Sequence, residues 1–133
     1  INAICSGTRV RPRILFQEPI HKTPLTITEE TRCLLKNALQ SVITEGRGQE
    51  IGDIDKDQLF LYGKTGTAQT SHKFKRKRGD YFLEHGWFVV YAQYKDYDPI
   101  TLVVLLEHAG SSRIAGQTAR TFLEAYCQYC DEQ

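Results

Sequence analysis

Residues 61–70 read LYGKTGTAQT, a short apolar approach into a lysine, two glycines and three threonines, with strongly basic sequence from Lys73 onward. The stretch fits three arrangements: a phosphate-binding loop, an ordinary strand ending in a turn, or one wall of an acyl-transfer site. A phosphate loop wraps backbone amides around its ligand and needs a glycine five positions before the Gly-Lys pair. Gln58 stands there instead. The preceding LFLY also runs as a strand straight into the lysine, whereas a phosphate loop leaves its strand earlier. Nucleotide hydrolysis is thereby set aside.

The downstream residues support a strand. HGWFVVYAQYK (85–95) and ITLVVLLEH (100–108) are rich in aromatic and β-branched residues and are separated by DYDP, the pattern of a hairpin. With residues 59–67 they predict a three-stranded antiparallel meander. A run as apolar as TLVVLL implies cover on both faces of the sheet. The chain closes on GSSRIAGQTARTFLEAYCQYC. There a Ser111 or Ser112 cap precedes a helical face of Ile114, Ala115, Thr118, Ala119, Phe122, Leu123 and Tyr126.

Ahead of the meander, RVRPRILFQEP (9–19) reads as a short edge strand with Val10, Ile14 and Phe16 apolar and with Pro12 and Pro19 limiting its ladder. TITEETRCLLKNALQSVITEGRG (26–48) carries a capping-box pattern from Thr26 to Glu29. Leu34, Leu35, Ala38, Leu39, Val42 and Ile43 come after it at helical spacing, and Gly46 is the stop. Gly46–Asp57 has no periodicity and reads as a loop. SHKFKRKRGDYFLE (71–84) reads as a long polar connection. The fold class predicted is α+β, an antiparallel sheet packed with helices.

A chain of 133 residues suits one domain or part of one. Lys plus Arg at 17 against Asp plus Glu at 16 gives no global basic field, which argues against a dedicated nucleic-acid binder. No apolar run approaches the roughly 20 residues needed to cross a bilayer, and the N-terminus lacks signal-peptide regions. The sequence contains no methionine and begins at a bulky isoleucine, so a piece of a longer protein is expected, with any membrane anchor upstream. Cys5, Cys33, Cys127 and Cys130 are too few and scattered to announce a disulfide scaffold, and they leave the redox compartment open.

Lysine, threonine and glycine on an exposed strand edge suit acyl transfer. The ammonium and hydroxyl can hold a carboxylate, the glycine admits a substrate backbone, and a main-chain amide can face a developing oxyanion. YGKTGTAQT, with HGWFVVYAQYKDYDPITLVVLLEHAGSSRIAGQTARTFLEAY farther along, resembles the C-terminal part of the penicillin-binding transpeptidases. It is most similar to the elongation-type class B enzymes, in which a Lys-Thr-Gly-Thr strand, a GWFVGYAP-like strand and an EHGGSG-like turn recur. Upstream, ICSGTRVRPRIL resembles the NGG…VRPRLV segment, and the helix over 28–45 resembles the one before the family's Gly-Thr-Ala turn. Departures are GRGQEIGD in place of that turn, Ser111 for a second glycine, and Val90 and Gln93 for glycine and proline.

The resemblance implies that this chain is the C-terminal portion of a β-lactamase/transpeptidase-like domain whose complete sheet has five strands. It implies serine acyl transfer that cross-links peptidoglycan through D-Ala-D-Ala stem peptides, with β-lactams as acylating ligands and no cofactor or metal. Lys64 and Thr65 would bind the substrate carboxylate, Gly66 would allow close approach, Thr67 would donate its amide to the oxyanion, and Gln69 would contact substrate. Of the family's three motifs, Ser-x-x-Lys, Ser-x-Asn and Lys-Thr-Gly, only the third is present in this sequence. The nucleophile is therefore expected from the upstream remainder of the same protein, and this chain alone is expected to be inactive. Elongation-complex membrane proteins are the implied partners, and the extracytoplasmic, periplasmic face of the inner membrane is the implied location.

Three further features have ordinary explanations. HKFKRKR (72–78) holds five Lys or Arg residues in seven positions, which suits a solvated loop. The competing reading makes the chain a non-catalytic binding module whose loop 72–78 holds an anionic polymer; nucleic acid is disfavoured because Phe74 alone offers a stacking surface. CQYC (127–130) has metal-ligand spacing but no partner pair, so buried or adventitiously paired cysteines are expected. His85 opens the strand after the basic loop, where a capping or packing role is expected over one in a cleft.

Overall fold

The computed structural model describes residues 1–52, 54, 57–70 and 77–133. A short helix, α1 (Asn2–Ser6), turns at Gly7 into β1 (Thr8–Val10), which pairs antiparallel with β2 (Lys22–Pro24). The strand expected over 9–19 is therefore only its first residues. Pro12 has no amide for a ladder, and beyond it Arg13 donates to the carbonyls of Phe16 (2.7 Å) and Glu18 (2.6 Å), closing an exposed turn. Ile14 and Phe16 are 98% and 90% exposed, so they form no buried strand face.

Helix α2 (Glu29–Thr44) starts two residues later than the capping-box pattern placed it. Its cap is Thr28, whose hydroxyl accepts from the Thr31 amide at 3.2 Å, and Glu29 and Glu30 lie in the first turn, where the helix dipole favours acids. Arg32 joins the helix to α1, pairing with Glu29 at 2.6 Å and donating to the Cys5 carbonyl at 3.1 Å. The apolar face read from sequence is only partly covered: Ile43 is buried while Leu34 and Leu35 stay exposed. The stretch read as a loop contains a single-turn helix, α3 (Gln49–Gly52), too short to show a period. Its Ile51 is completely buried.

The meander forms as expected. Strands β3 (Leu59–Ala68), β4 (His85–Tyr94) and β5 (Ile100–Leu106) pair antiparallel in that order. One face carries Leu61, Phe88, Val90 and Ala92, and these meet Ile43, Ile51, Ala115, Ala119 and Leu123 in the main core. The other face is only partly covered by the described residues: Tyr91 is buried and Lys36 lies over the Tyr62 ring, but Val103 is 54% exposed and Trp87 37%. The two-sided cover implied by TLVVLL is thus present on one side here. Of the connection 71–84, residues 71–76, including most of the basic stretch 72–78, lie outside the described residues; Asp80–Phe82 form a 3-10 turn.

Helix α4 (Ser112–Asp131) is capped by Ser111, whose hydroxyl accepts from the Arg113 amide at 3.1 Å. Its buried face is rotated from the one read in sequence, running through Ser112, Ala115, Gly116, Ala119, Leu123, Cys127 and Cys130, while Ile114 and Phe122 are exposed. Small residues let the helix lie close to the sheet, and that close approach outweighs the larger side chains on its flank. Cys127 and Cys130 are not joined in a disulfide, and they pack with Tyr94 in a second small cluster. The end of α4 is tied to the hairpin through Asp131, which accepts from the Tyr94 hydroxyl (2.6 Å) and Lys95 (2.5 Å).

Candidate active-site strand

The candidate residues lie at the C-terminal end of β3, an edge strand among the described residues. In an antiparallel ladder, residues alternate between those that exchange hydrogen bonds with the neighbouring strand and those that point their amide and carbonyl away from it. The Lys95 amide donates to the Gln58 carbonyl at 3.1 Å, which makes the Gln58–Lys95 pair a bonded one. The register runs unbroken from Leu59↔Tyr94 to Ala68↔His85. Lys64 and Gly66 therefore bond to β4, while Thr65 and Thr67 turn their backbone groups outward to the open edge.

Lys64 confirms that direction independently. Its side chain is exposed, and Nζ folds back to donate to the Thr65 carbonyl at 2.7 Å. A cation, an outward carbonyl and an outward amide thus occupy one edge within four residues. Gly66 pairs with Trp87, and a β-carbon there would come within 3.2 Å of Trp87 Cβ, so glycine leaves this strand flat where the indole begins. Gln69 lies just past the strand on the exposed side and has left the ladder. Lys64, Thr65, Gly66 and Thr67 are brought together as a continuous edge, with Gln69 adjoining.

A second group of side chains closes the end of this strand. The Thr70 hydroxyl donates to the Leu83 carbonyl at 2.8 Å. His85 opens β4 opposite Ala68, and its Nδ1 accepts the His108 amide at 2.9 Å, which realises the capping role expected of it. The His108 ring stacks on Tyr81 at 4.6 Å and meets His85 edge-on at 4.7 Å. Sequence reasoning misses Thr70, Tyr81 and His108, because turns far apart in the chain bring them together. The two Glu-His pairs, 84–85 and 107–108, are the one pattern that points there.

Among the described residues, no cluster of three His, Cys, Asp or Glu side chains is arranged to hold a metal ion. The chemistry available at this edge is electrostatic. It can hold an anion, and it can donate an amide to an oxygen on which charge develops.

The family model of the penicillin binding protein transpeptidase domain matches residues 1–124. The chain belongs to the penicillin-binding protein transpeptidase family. No curated protein and no solved structure matches it. The family match takes in the whole three-stranded sheet and most of α4, so the Lys-Thr-Gly edge of this penicillin-binding transpeptidase chain lies wholly within it. The α+β architecture agrees with part of a transpeptidase domain, and membership places the chain among acyl-transfer proteins that bind β-lactams and peptidoglycan substrates.

Proposed function

We propose that this chain is the C-terminal part of the transpeptidase domain of an elongation-type class B enzyme, a serine D,D-transpeptidase that cross-links peptidoglycan. The observation that carries the proposal is the open edge, where the outward Thr67 amide stands beside an exposed Lys64. Lys64 and the Thr65 hydroxyl hold the terminal carboxylate of a D-Ala-D-Ala stem peptide. Gly66 leaves room for the peptide backbone, and Gln69 contacts it farther along.

A serine oxygen attacks the penultimate carbonyl carbon, and the electron pair of the C=O moves onto its oxygen, where the Thr67 amide donates to it. Collapse of this intermediate breaks the peptide bond. The terminal D-Ala leaves as the amine, taking the proton that the proton acceptor removed from the serine, and an acyl-enzyme remains for an acceptor amine to attack. This sequence contains no Ser-x-x-Lys and no Ser-x-Asn, so the serine and its proton acceptor come from elsewhere in the complete protein. Cross-linking of the assembled wall takes place outside the cytoplasm, so the periplasmic face of the inner membrane is the proposed location.

The test is acylation of the complete protein by a fluorescent penicillin. Lys64→Ala is expected to slow acylation about 10²-fold, the scale on which losing a group that positions the substrate acts. An unchanged rate overturns the clamp. The chain of residues 1–133 on its own is expected to take up no label, and stable labelling would overturn the missing-nucleophile reading.

A further inference from the structure

The exit of β3 is held by contacts that the acyl-transfer chemistry does not itself require. Three segments meet there: Thr70 just past β3, residues 81–85 leading into β4, and the turn 107–111 between β5 and α4. The Leu83 carbonyl accepts from the Thr70 hydroxyl at 2.8 Å and faces His108 Nδ1 at 3.4 Å, so one oxygen serves both neighbours. The Gly110 amide donates to the Glu84 carbonyl at 2.9 Å, and the His108 amide donates to His85 Nδ1 at the same distance. His108 has φ +55°, a conformation a side-chain-bearing residue keeps only where its surroundings hold it.

The turn in its place reaches the site through backbone. Its last residue, Ser111, puts its carbonyl against Gly86, and Gly86 is the register partner of Thr67. His85 is the partner of Ala68. We infer that His85 is a positioning residue for the transpeptidase wall: by accepting the His108 amide it locks the 107–111 turn to the start of β4, and so fixes the end of β3 that presents the Thr67 amide. This inference rests on the proposed transpeptidase function. Accepting at Nδ1 requires a lone pair there, which puts the proton of the neutral ring on Nε2. Asparagine carries an acceptor oxygen in nearly the same place as Nδ1, whereas alanine leaves the His108 amide without its partner.

The experiment measures, on the complete protein, both the acylation rate constant and the dissociation constant for a fluorescent penicillin. His85→Ala is expected to lower the rate constant about tenfold with little change in dissociation constant, since small displacements of an aligned donor act on the reacting geometry. His85→Asn is expected to restore the rate to within about twofold of wild type, given its retained acceptor. Thr70→Val, which severs the other tie to Leu83, is expected to slow acylation in the same sense and carries the test if His85→Ala does not fold. Hydrogen exchange at the Ala68 amide, which faces β4, is expected to quicken in His85→Ala and return to normal in His85→Asn.

Equal slowing by His85→Ala and His85→Asn, or Ala68 protection unchanged in His85→Ala, overturns the positioning role. A Lys64→Ala variant run alongside separates the two ideas. If it slows acylation while His85→Ala does not, positioning fails alone, and if it acylates normally, the transpeptidase clamp fails.

Discussion

Gly86 lies directly against the carbonyl of Ser111, so closely that a β-carbon on Gly86 would stand 2.4 Å from that oxygen. The obstacle is backbone at the cap of α4, so no rotamer change relieves it. Gly86→Ala is expected to destabilise the protein by about 3 kcal/mol, the upper end of common overpacking costs, read as a lower urea midpoint at unchanged slope.

The alternation along β3 makes two neighbouring prolines behave differently. Thr67→Pro removes an outward amide and no ladder bond, so the sheet is expected to persist, as edge strands tolerate proline. Penicillin acylation of the complete protein is expected to fall about 10²-fold with that donor gone. Gly66→Pro removes an amide that bonds to β4, and is expected to lower the unfolding midpoint far more. Circular dichroism melts beside acylation rates distinguish the pair; equal destabilisation by both would overturn the assigned alternation.

The cap of α2 offers a clean comparison. Thr28→Ala is expected to cost about 1 kcal/mol because the Thr31 amide loses its acceptor, while Thr26→Ala is expected to cost a few tenths at most. Chemical denaturation of the two variants checks the order.

Burial pushes the Tyr126 hydroxyl up to about 12 from an ordinary value of 10.0. The unfolded chain therefore gives up this proton first as the solution becomes alkaline, and the folded state binds more protons between those two values. Stability is expected to be intact below pH 10.0 and to fall as pH rises toward about 12. Tyr126→Phe is expected to flatten that part of the profile in unfolding midpoints taken across the window.

The sheet is legible in sequence because its strands are long, apolar and separated by plain turn residues; β3, β4 and β5 fall where the β-branched and aromatic runs place them. Helix faces are less legible. In α4 the large side chains Ile114 and Phe122 suggest one face, while the structure buries Ala115, Gly116 and Ala119, whose advantage is closeness to a sheet that no window of helix sequence contains. Thr26 and Thr28 both suit a cap, and only the bonded geometry separates them. The Lys-Thr-Gly edge is visible as a motif. The His85–His108 contact is not, because it joins positions 23 residues apart through a turn in a conformation that histidine seldom adopts.

Trp87 is the sole tryptophan of residues 1–133, partly exposed on the less covered side of the sheet and in register with Gly66. The molecule therefore contains its own optical reporter. Anything that comes to rest over that side of the sheet, or fills the space along the glycine, changes the polarity around a single indole. Within residues 1–133 its emission maximum gives a label-free reading of what covers that side of the sheet.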